Sequence, residues 1–385
     1  MAANDSRLFT PLKVGRLDLA HRIVLAPMTR FRSDEAQVPL PFVKEYYQQR
    51  GSTPGTLLIT EGTLISARAG VYACAPGIYS PAQVDAWKEI TAAVHEKGSY
   101  IFLQLWALGR TATPELTKAA GYDVVSSSAK RLEEANYAGS EYATPRALSE
   151  EEIQLHINDY VQAAKAAVEV AGFDGVEIHA ANGYLIDQFT QDTVNMRTDR
   201  WGGSVENRAR FALEITKAVV AAVGADRTAI RFSPYSVFQG MRMKNSELVA
   251  QFTYLAQQLA AFKLAYVHLV EPRICGYYDI DNPDNHDVSL RFFVDAYGEA
   301  SPVIVAGGYT AQTAREALEV THKDRPVLIA FGRQFISNPD LPFRFKEGIE
   351  LTANVRNKTY APMTKEGYID YPFSDEFTRS LEAVA

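Results

Sequence analysis

Eight short apolar runs, each followed by a stretch with helical signals, limit what this chain can fold into more than any other feature. They are 22–28 (RIVLAPM), 56–62 (TLLITEG), 100–106 (YIFLQLW), 175–181 (GVEIHAA), 229–235 (AIRFSPY), 266–272 (YVHLVEP), 303–309 (VIVAGGY) and 327–333 (VLIAFGR). Each has the length of a buried strand. The segments between them carry helix punctuation. Ser80, Pro81 and Gln83 read as an N-cap, a first-turn proline and a capping-box partner, and Ser149 with Glu152 repeats the box. Beyond it Ile153, Ile157, Tyr160, Val161, Ala164 and Val168 recur at three- and four-residue steps until Gly172 stops the helix. Strands alternating with helices pair in parallel, and eight such units close a (β/α)8 TIM barrel; a doubly wound open sheet is the alternative.

Side-chain parity favours the barrel, because successive residues of a strand face opposite sides. Ile101, Leu103 and Leu105, Val176 and Ile178, and Val267 and Leu269 form apolar faces suited to helices. The opposite parity holds Gln104 and Trp106, Glu177 and His179, and Tyr266 and His268, while Arg231 opposes Ile230 and Phe232. Polar groups therefore gather inside, toward the C-terminal rim where barrel active sites lie. The connections 107–148 and 272–288 are long insertions at that same rim, suited to lids or pocket walls. No linker or low-complexity stretch divides residues 1–385, so a single domain is expected.

Composition narrows the partners. Lys and Arg number 39 against 46 Asp and Glu, a net charge of −7 without a basic run, which argues against nucleic acid and for a small-molecule ligand. The two cysteines, Cys74 and Cys275, fit neither a disulfide framework nor a zinc site, and no metal is expected. The first twenty residues lack an apolar signal core and no window reaches membrane-spanning length, so the expected address is the cytoplasm, with no membrane partner. His21, His95, His156, His286 and His322 fall on helices or connections and are expected to be exposed; His268 is undecided.

No G-x-G-x-x-G follows a strand and no P-loop occurs, so a resident nucleotide-binding module is absent. Gly307-Gly308 and Gly332-Arg333 instead close the seventh and eighth runs, where backbone N–H groups and a guanidinium suit a phosphate-bearing cofactor or substrate. Two ordinary tight turns are the alternative.

The stretch 175–210, GVEIHAANGYLIDQFTQDTVNMRTDRWGGSVENRAR, resembles the Old Yellow Enzyme family of FMN-dependent ene-reductases, with His179, Asn182 and Tyr184 forming its H-x-x-N-x-Y pattern. APMTR at 26–30, TEGT at 60–63, LQLW at 103–106, RFSPY at 231–235, HLVEPR at 268–273 and FGRQFISNPDLP at 331–342 extend the resemblance through nearly the whole chain. The wording is nearest to fungal members of the yeast- and plant-like branch, in which Thr29 stands where another branch has Cys.

The resemblance implies FMN held by Pro27, Met28, Thr29 and the backbone at Gly62, with Gln104 on the ring's amide edge and Arg231 beside its N1 side. Gly307, Gly308, Gly332 and Arg333 would cradle the phosphate. NADPH, or NADH, would reduce the flavin in a ping-pong cycle, and an α,β-unsaturated carbonyl compound, an enal or enone, would reoxidise it. His179, counted also with the cofactor-binding residues, and Asn182 would bind the carbonyl oxygen, and Tyr184 would protonate the α-carbon. Tyr72, Trp106, Phe238 and Tyr360 match positions lining the substrate pocket, although NKTYAP lacks the Phe expected just before Tyr360. The protein is expected as a monomer or homodimer. The alternative within the family is enal reduction or alkene isomerisation of an alkaloid-like intermediate in a fungal biosynthetic pathway. Two rivals stand beside it: a flavin-independent barrel isomerase or lyase acting on a phosphorylated substrate, and a catalytically silent flavin-binding protein.

Overall fold

The structure, a computed structural model, describes residues 6–133, 141–275, 278–279 and 288–383. Each of the eight apolar runs yields a strand: β1 (Ile23–Leu25), β2 (Leu57–Ile59), β3 (Tyr100–Trp106), β4 (Gly175–His179), β5 (Thr228–Phe232), β6 (Tyr266–Val270), β7 (Val303–Ala306) and β8 (Val327–Phe331). Every strand pairs in parallel with the next, and β8 pairs with β1, so the sheet closes into a barrel. A closed sheet has no open edge, which settles the choice between barrel and open sheet.

Most strands end earlier than the apolar runs that announced them. The second run breaks at Thr60, whose hydroxyl accepts from the Gln104 N–H at 3.0 Å in place of a ladder carbonyl. The chain rejoins the sheet at Thr63–Leu64, beside Leu105 and Trp106. Both predicted capping boxes are present, at Ser80 before the helix Pro81–His95 and at Ser149 before Glu150–Lys165. The latter continues through a π turn, Ala166–Val170, and Gly172 then turns the chain at φ +79°.

The parity holds in three dimensions. Ile101, Leu103, Leu105, Val176, Ile178, Ile230, Phe232, Val267 and Leu269 belong to the core between barrel and helices. The barrel's lower interior is a separate cluster that includes Val24, Leu57, Phe102, Tyr266, Ile304 and Leu328. An N-terminal antiparallel hairpin, Leu12–Val14 with Leu17–Leu19, contributes Val14, Leu17 and Leu19 to that cluster and closes the barrel's floor.

Three of the histidines expected to be exposed are buried: His21, His156 and His322. His21 Nε2 lies 2.9 Å from Thr56 Oγ1 and its Nδ1 accepts the Ile23 N–H, and burial holds its pKa near 4. His156 Nδ1 meets the Glu152 carbonyl at 2.9 Å. These partners let the His21 and His156 rings be buried as hydrogen-bonded neutral groups. His95 is exposed, as expected, and meets Asp174 Oδ2 at 3.0 Å, while His286 lies outside the described residues. Among the described residues no helix is long and apolar enough to cross a membrane.

Past β1, buried Arg30 and Arg32 fasten a C-terminal strap to the barrel rim. Arg30 donates to the carbonyls of Thr359 at 3.1 Å and Gly367 at 2.6 Å. Arg32 donates to those of Lys358, Thr359, Thr364 and Glu366 within 3.2 Å. Tyr368 lies under both guanidinium groups, 4.8 and 4.9 Å from its ring centre.

Candidate active site

The C-terminal ends of the strands surround a cavity of about 580 Å³, within the range of small-molecule and cofactor sites. Pro27, Met28, Thr29, Gly62, Gln104, Trp106, His179, Asn182, Tyr184, Arg231, Phe238, Gly307, Gly308, Gly332, Arg333 and Tyr360 all line it. Tyr72 is not among the lining residues; its partly exposed ring lies 5.7 Å from Phe31 and 6.1 Å from Trp106.

Strand register explains the gathering. Gln104 is the β3 partner of Glu177, and Arg231 on β5 is level with both His179 on β4 and His268 on β6. The His179 ring is buried, and burial together with the charge of Arg231 holds its pKa well below the usual value, so it is neutral. The Ala181 N–H donates to its Nδ1 at 3.3 Å, which leaves the ring proton on Nε2.

After β4 the chain turns through Asn182 and Gly183 with φ of +58° and +75°. Asn tolerates this left-handed region better than most residues. The turn is pinned by the Asn182 N–H on Ser233 Oγ at 2.7 Å and the Gly183 N–H on Asp187 Oδ2 at 2.9 Å. Gln239, its amide nitrogen facing the same turn, donates to the carbonyls of Asn182 and Gly183 at 3.2 Å each. Tyr184 then caps the helix Leu185–Thr190, its ring 4.9 Å from Trp106 and 5.0 Å from His179 at steep angles. Burial pushes its phenol above the ordinary tyrosine range, so it carries its proton at neutral pH.

Two of the glycines have a reason within the protein. A Cβ on Gly62 would come within 2.9 Å of the Trp106 ring, and one on Gly307 within 2.4 Å of Glu271 Cβ. Their small size therefore does not by itself point to a phosphate. Gly308, at φ +63°, and Gly332, which precedes the helix Arg333–Ser337, leave backbone amides beside the cavity together with the Arg333 side chain.

Other cavity residues went unnoticed in the sequence. Tyr309 adjoins the Gly307-Gly308 pair and could have been found from it; its hydroxyl donates to Glu271 Oε1 at 2.5 Å. Asn354 and Arg356 lie on the strap, where no strand end announces them. Beneath the cavity Glu177 and His268 are fully buried and joined at 2.9 Å.

The residues suit FMN. Arg231 Nε is buried with no hydrogen-bond partner among the described residues, and Arg231 and Gln104 share the cavity floor, a donor and an amide matching the polar edge of a flavin ring. At the opposite side the glycine turns and Arg333 suit an anion.

A closed parallel barrel with a cofactor-sized cleft of this make-up is suited to a flavin-dependent oxidoreductase. Residues 7–352 match the model of the NADH:flavin oxidoreductase / NADH oxidase family, and the chain belongs to that family. It is thus an FMN-dependent oxidoreductase of the Old Yellow Enzyme kind, with a nicotinamide as electron donor. A chanoclavine-I aldehyde reductase of Penicillium roqueforti is 60% identical over 99% of this chain and 100% of its own length. An NADP-dependent oxidoreductase of Aspergillus flavus is 52% identical, covering 96% of this chain and 97% of the relative. The crystal structure of an Old Yellow Enzyme from Pichia sp. AKU4542 superposes with a TM-score of 0.87 at 39% identity, over 96% of this chain and 94% of that one.

Proposed function

We propose that this protein, residues 1–385 acting as one FMN-binding unit in the cytoplasm, reduces the activated C=C bond of α,β-unsaturated carbonyl compounds at the expense of NADPH. The observation that carries the reading is the convergence of three groups on one cavity wall: the neutral His179 with its proton on Nε2, the Asn182 amide and the Tyr184 phenol. Bound FMN supplies the transfer of two electrons from the nicotinamide to the alkene. Pro27, Met28, Thr29, Gly62, Gln104 and Arg231 hold its ring system; Gly307, Gly308, Gly332 and Arg333 hold its phosphate.

His179 and Asn182 donate to the substrate carbonyl oxygen. Because reduction at the β-carbon shifts negative charge onto that oxygen, two fixed donors bind the developing enolate more tightly than the substrate, and one such donor is worth about 2.7–4 kcal/mol. Tyr184 gives its proton to the α-carbon, completing the addition of one hydride equivalent and one proton across the double bond. Trp106, Phe238 and Tyr360 present aromatic surface to the substrate, and Tyr72 packs beside Trp106.

The Penicillium roqueforti relative is named for an aldehyde, which favours an enal from a biosynthetic pathway as natural acceptor, and the Aspergillus flavus relative's name favours NADPH over NADH. The test is a visible spectrum of the purified protein, then anaerobic NADPH, then enals, enones and maleimides. A yellow protein that bleaches with NADPH and regains colour with an enal is expected. A protein that stays colourless when offered FMN refutes the reading.

A further inference from the structure

Glu177 has no part in the mechanism above, yet it is the best-connected charge beneath the cavity. It is fully buried on β4. Its Oε1 accepts from Gln104 Nε2 at 2.7 Å and its Oε2 lies 2.9 Å from His268 Nδ1, so both oxygens are engaged. Gln104 and Arg231 line the cavity, whereas Glu177 and His268 sit behind them.

Two consequences follow from this arrangement. An ionised carboxylate only accepts hydrogen bonds, so the Gln104 amide must turn its NH2 toward Glu177. Its carbonyl oxygen is then the end left for a ligand, as an acceptor for an imide N–H. The second consequence concerns charge. Burial works against the Glu177 carboxylate, but His268 and Arg231 outweigh it and hold its pKa below the usual carboxylate range. Burial also lowers the pKa of His268, and Glu177 is the buried carboxylate set against the charge of Arg231.

We infer that Glu177 is a positioning residue that presents the Gln104 carbonyl to the cofactor and offsets the charge of Arg231, and so sets how strongly the site prefers the reduced, anionic cofactor over the oxidised one. The inference rests on the FMN reading above. Without the carboxylate, Arg231 would act on the cavity unopposed. The reduced cofactor would be favoured at the cost of a less well oriented Gln104.

The test is a spectroscopic redox titration of the FMN-loaded protein, with the affinity for oxidised FMN measured alongside. Glu177→Gln keeps the shape and removes the charge. Its preference for reduced over oxidised FMN is expected to rise about tenfold, an upward shift of ~30 mV for a two-electron couple. Glu177→Asp keeps the charge but withdraws it from Gln104, so oxidised FMN is expected to bind about tenfold more weakly at an unchanged potential. A role confined to packing would not move the potential in this pattern. Equal potentials in wild type and Glu177→Gln overturn the inference, as does a shift in Glu177→Asp as large as that in Glu177→Gln. If the Gln variant does not fold, the Asp variant decides: weaker FMN at the wild-type potential supports the inference, and wild-type affinity overturns it. A wild-type protein that takes up no FMN overturns the FMN reading and this inference together.

Discussion

Replacing Tyr184 by Phe deletes one hydroxyl and leaves the ring that packs against Trp106 and His179. The substitution therefore isolates proton donation from packing. A positioned general acid contributes about 10²–10⁴-fold, equivalent to ~2.7–5.4 kcal/mol of barrier at 1.36 kcal/mol per tenfold. Stopped-flow absorbance separates the two halves of the cycle. Flavin bleaching by NADPH should keep its wild-type rate, since it needs no proton from this side chain, and recovery of colour with an enal should slow by the factor above. The structure adds a pH expectation. Burial raises the Tyr184 phenol and depresses His179, so neither group changes protonation near neutral pH and neither should put a titration into the rate with enal there. Equal loss of both halves in the Phe variant would make Tyr184 a packing residue. A titration near pH 7 that survives both Asp187→Asn and Glu61→Gln would contradict the protonation states assigned to His179 and Tyr184.

Arg333→Ala should weaken FMN by roughly ten- to a hundredfold while riboflavin, lacking the phosphate, changes little; comparable losses would remove Arg333 from the phosphate site. The double variant His179→Ala with Asn182→Ala should retain flavin but lose the long-wavelength band that a bound para-substituted phenolate gives, and an undiminished band would clear both residues of oxyanion binding. Gly62→Ala drives a Cβ to 2.9 Å from Trp106 and should destabilise the protein by about 1–3 kcal/mol, read as a lowered Tm. Burial raises Asp187 from 3.8 to about 7 and Glu61 from 4.5 to about 7. Each folded carboxyl thus keeps a proton that the unfolded chain has lost. Their stabilisation is full below about pH 4 and disappears as pH rises through 7, with a slope of up to about 1.4 kcal/mol per pH unit for each group. Asp187→Asn, neutral throughout, should flatten that decline in thermal melts, and an unchanged slope would refute the assignment.

The barrel was legible because strands buried on both faces must be apolar runs of limited length, and side-chain parity separates helix-facing from interior residues. The Ser80 and Ser149 capping boxes were legible because they are local, with donor and acceptor three residues apart. Groups whose partners lie far along the chain were not. His21 is buried because Thr56, thirty-five residues on, meets its ring, and nothing around His21 records that. Glu177 could be placed inside the barrel by parity, but its bonds to Gln104 and His268 come from closure of the sheet. Tyr72, matched by resemblance to the pocket, is not among the cavity's lining residues but has its ring 6.1 Å from that of Trp106.

The strap has a consequence for how sites of this kind diversify. Arg30 and Arg32 grip it through main-chain carbonyls, groups that every residue type supplies. Apart from Tyr368, which stacks under both guanidinium groups, and Gly367, where a Cβ would meet Lys358 at 2.4 Å, the mount is therefore indifferent to which side chains the strap carries, provided its path is kept. Asn354, Arg356 and Tyr360, which this segment brings to the cavity, also lie beyond the span matched by the family model, which ends at 352. A strap held by its backbone can exchange the residues it shows to the substrate while the barrel beneath it stays the same. The unexpected sequence before Tyr360 is a change of the sort such a mount tolerates, and selectivity among relatives can drift there without disturbing the fold.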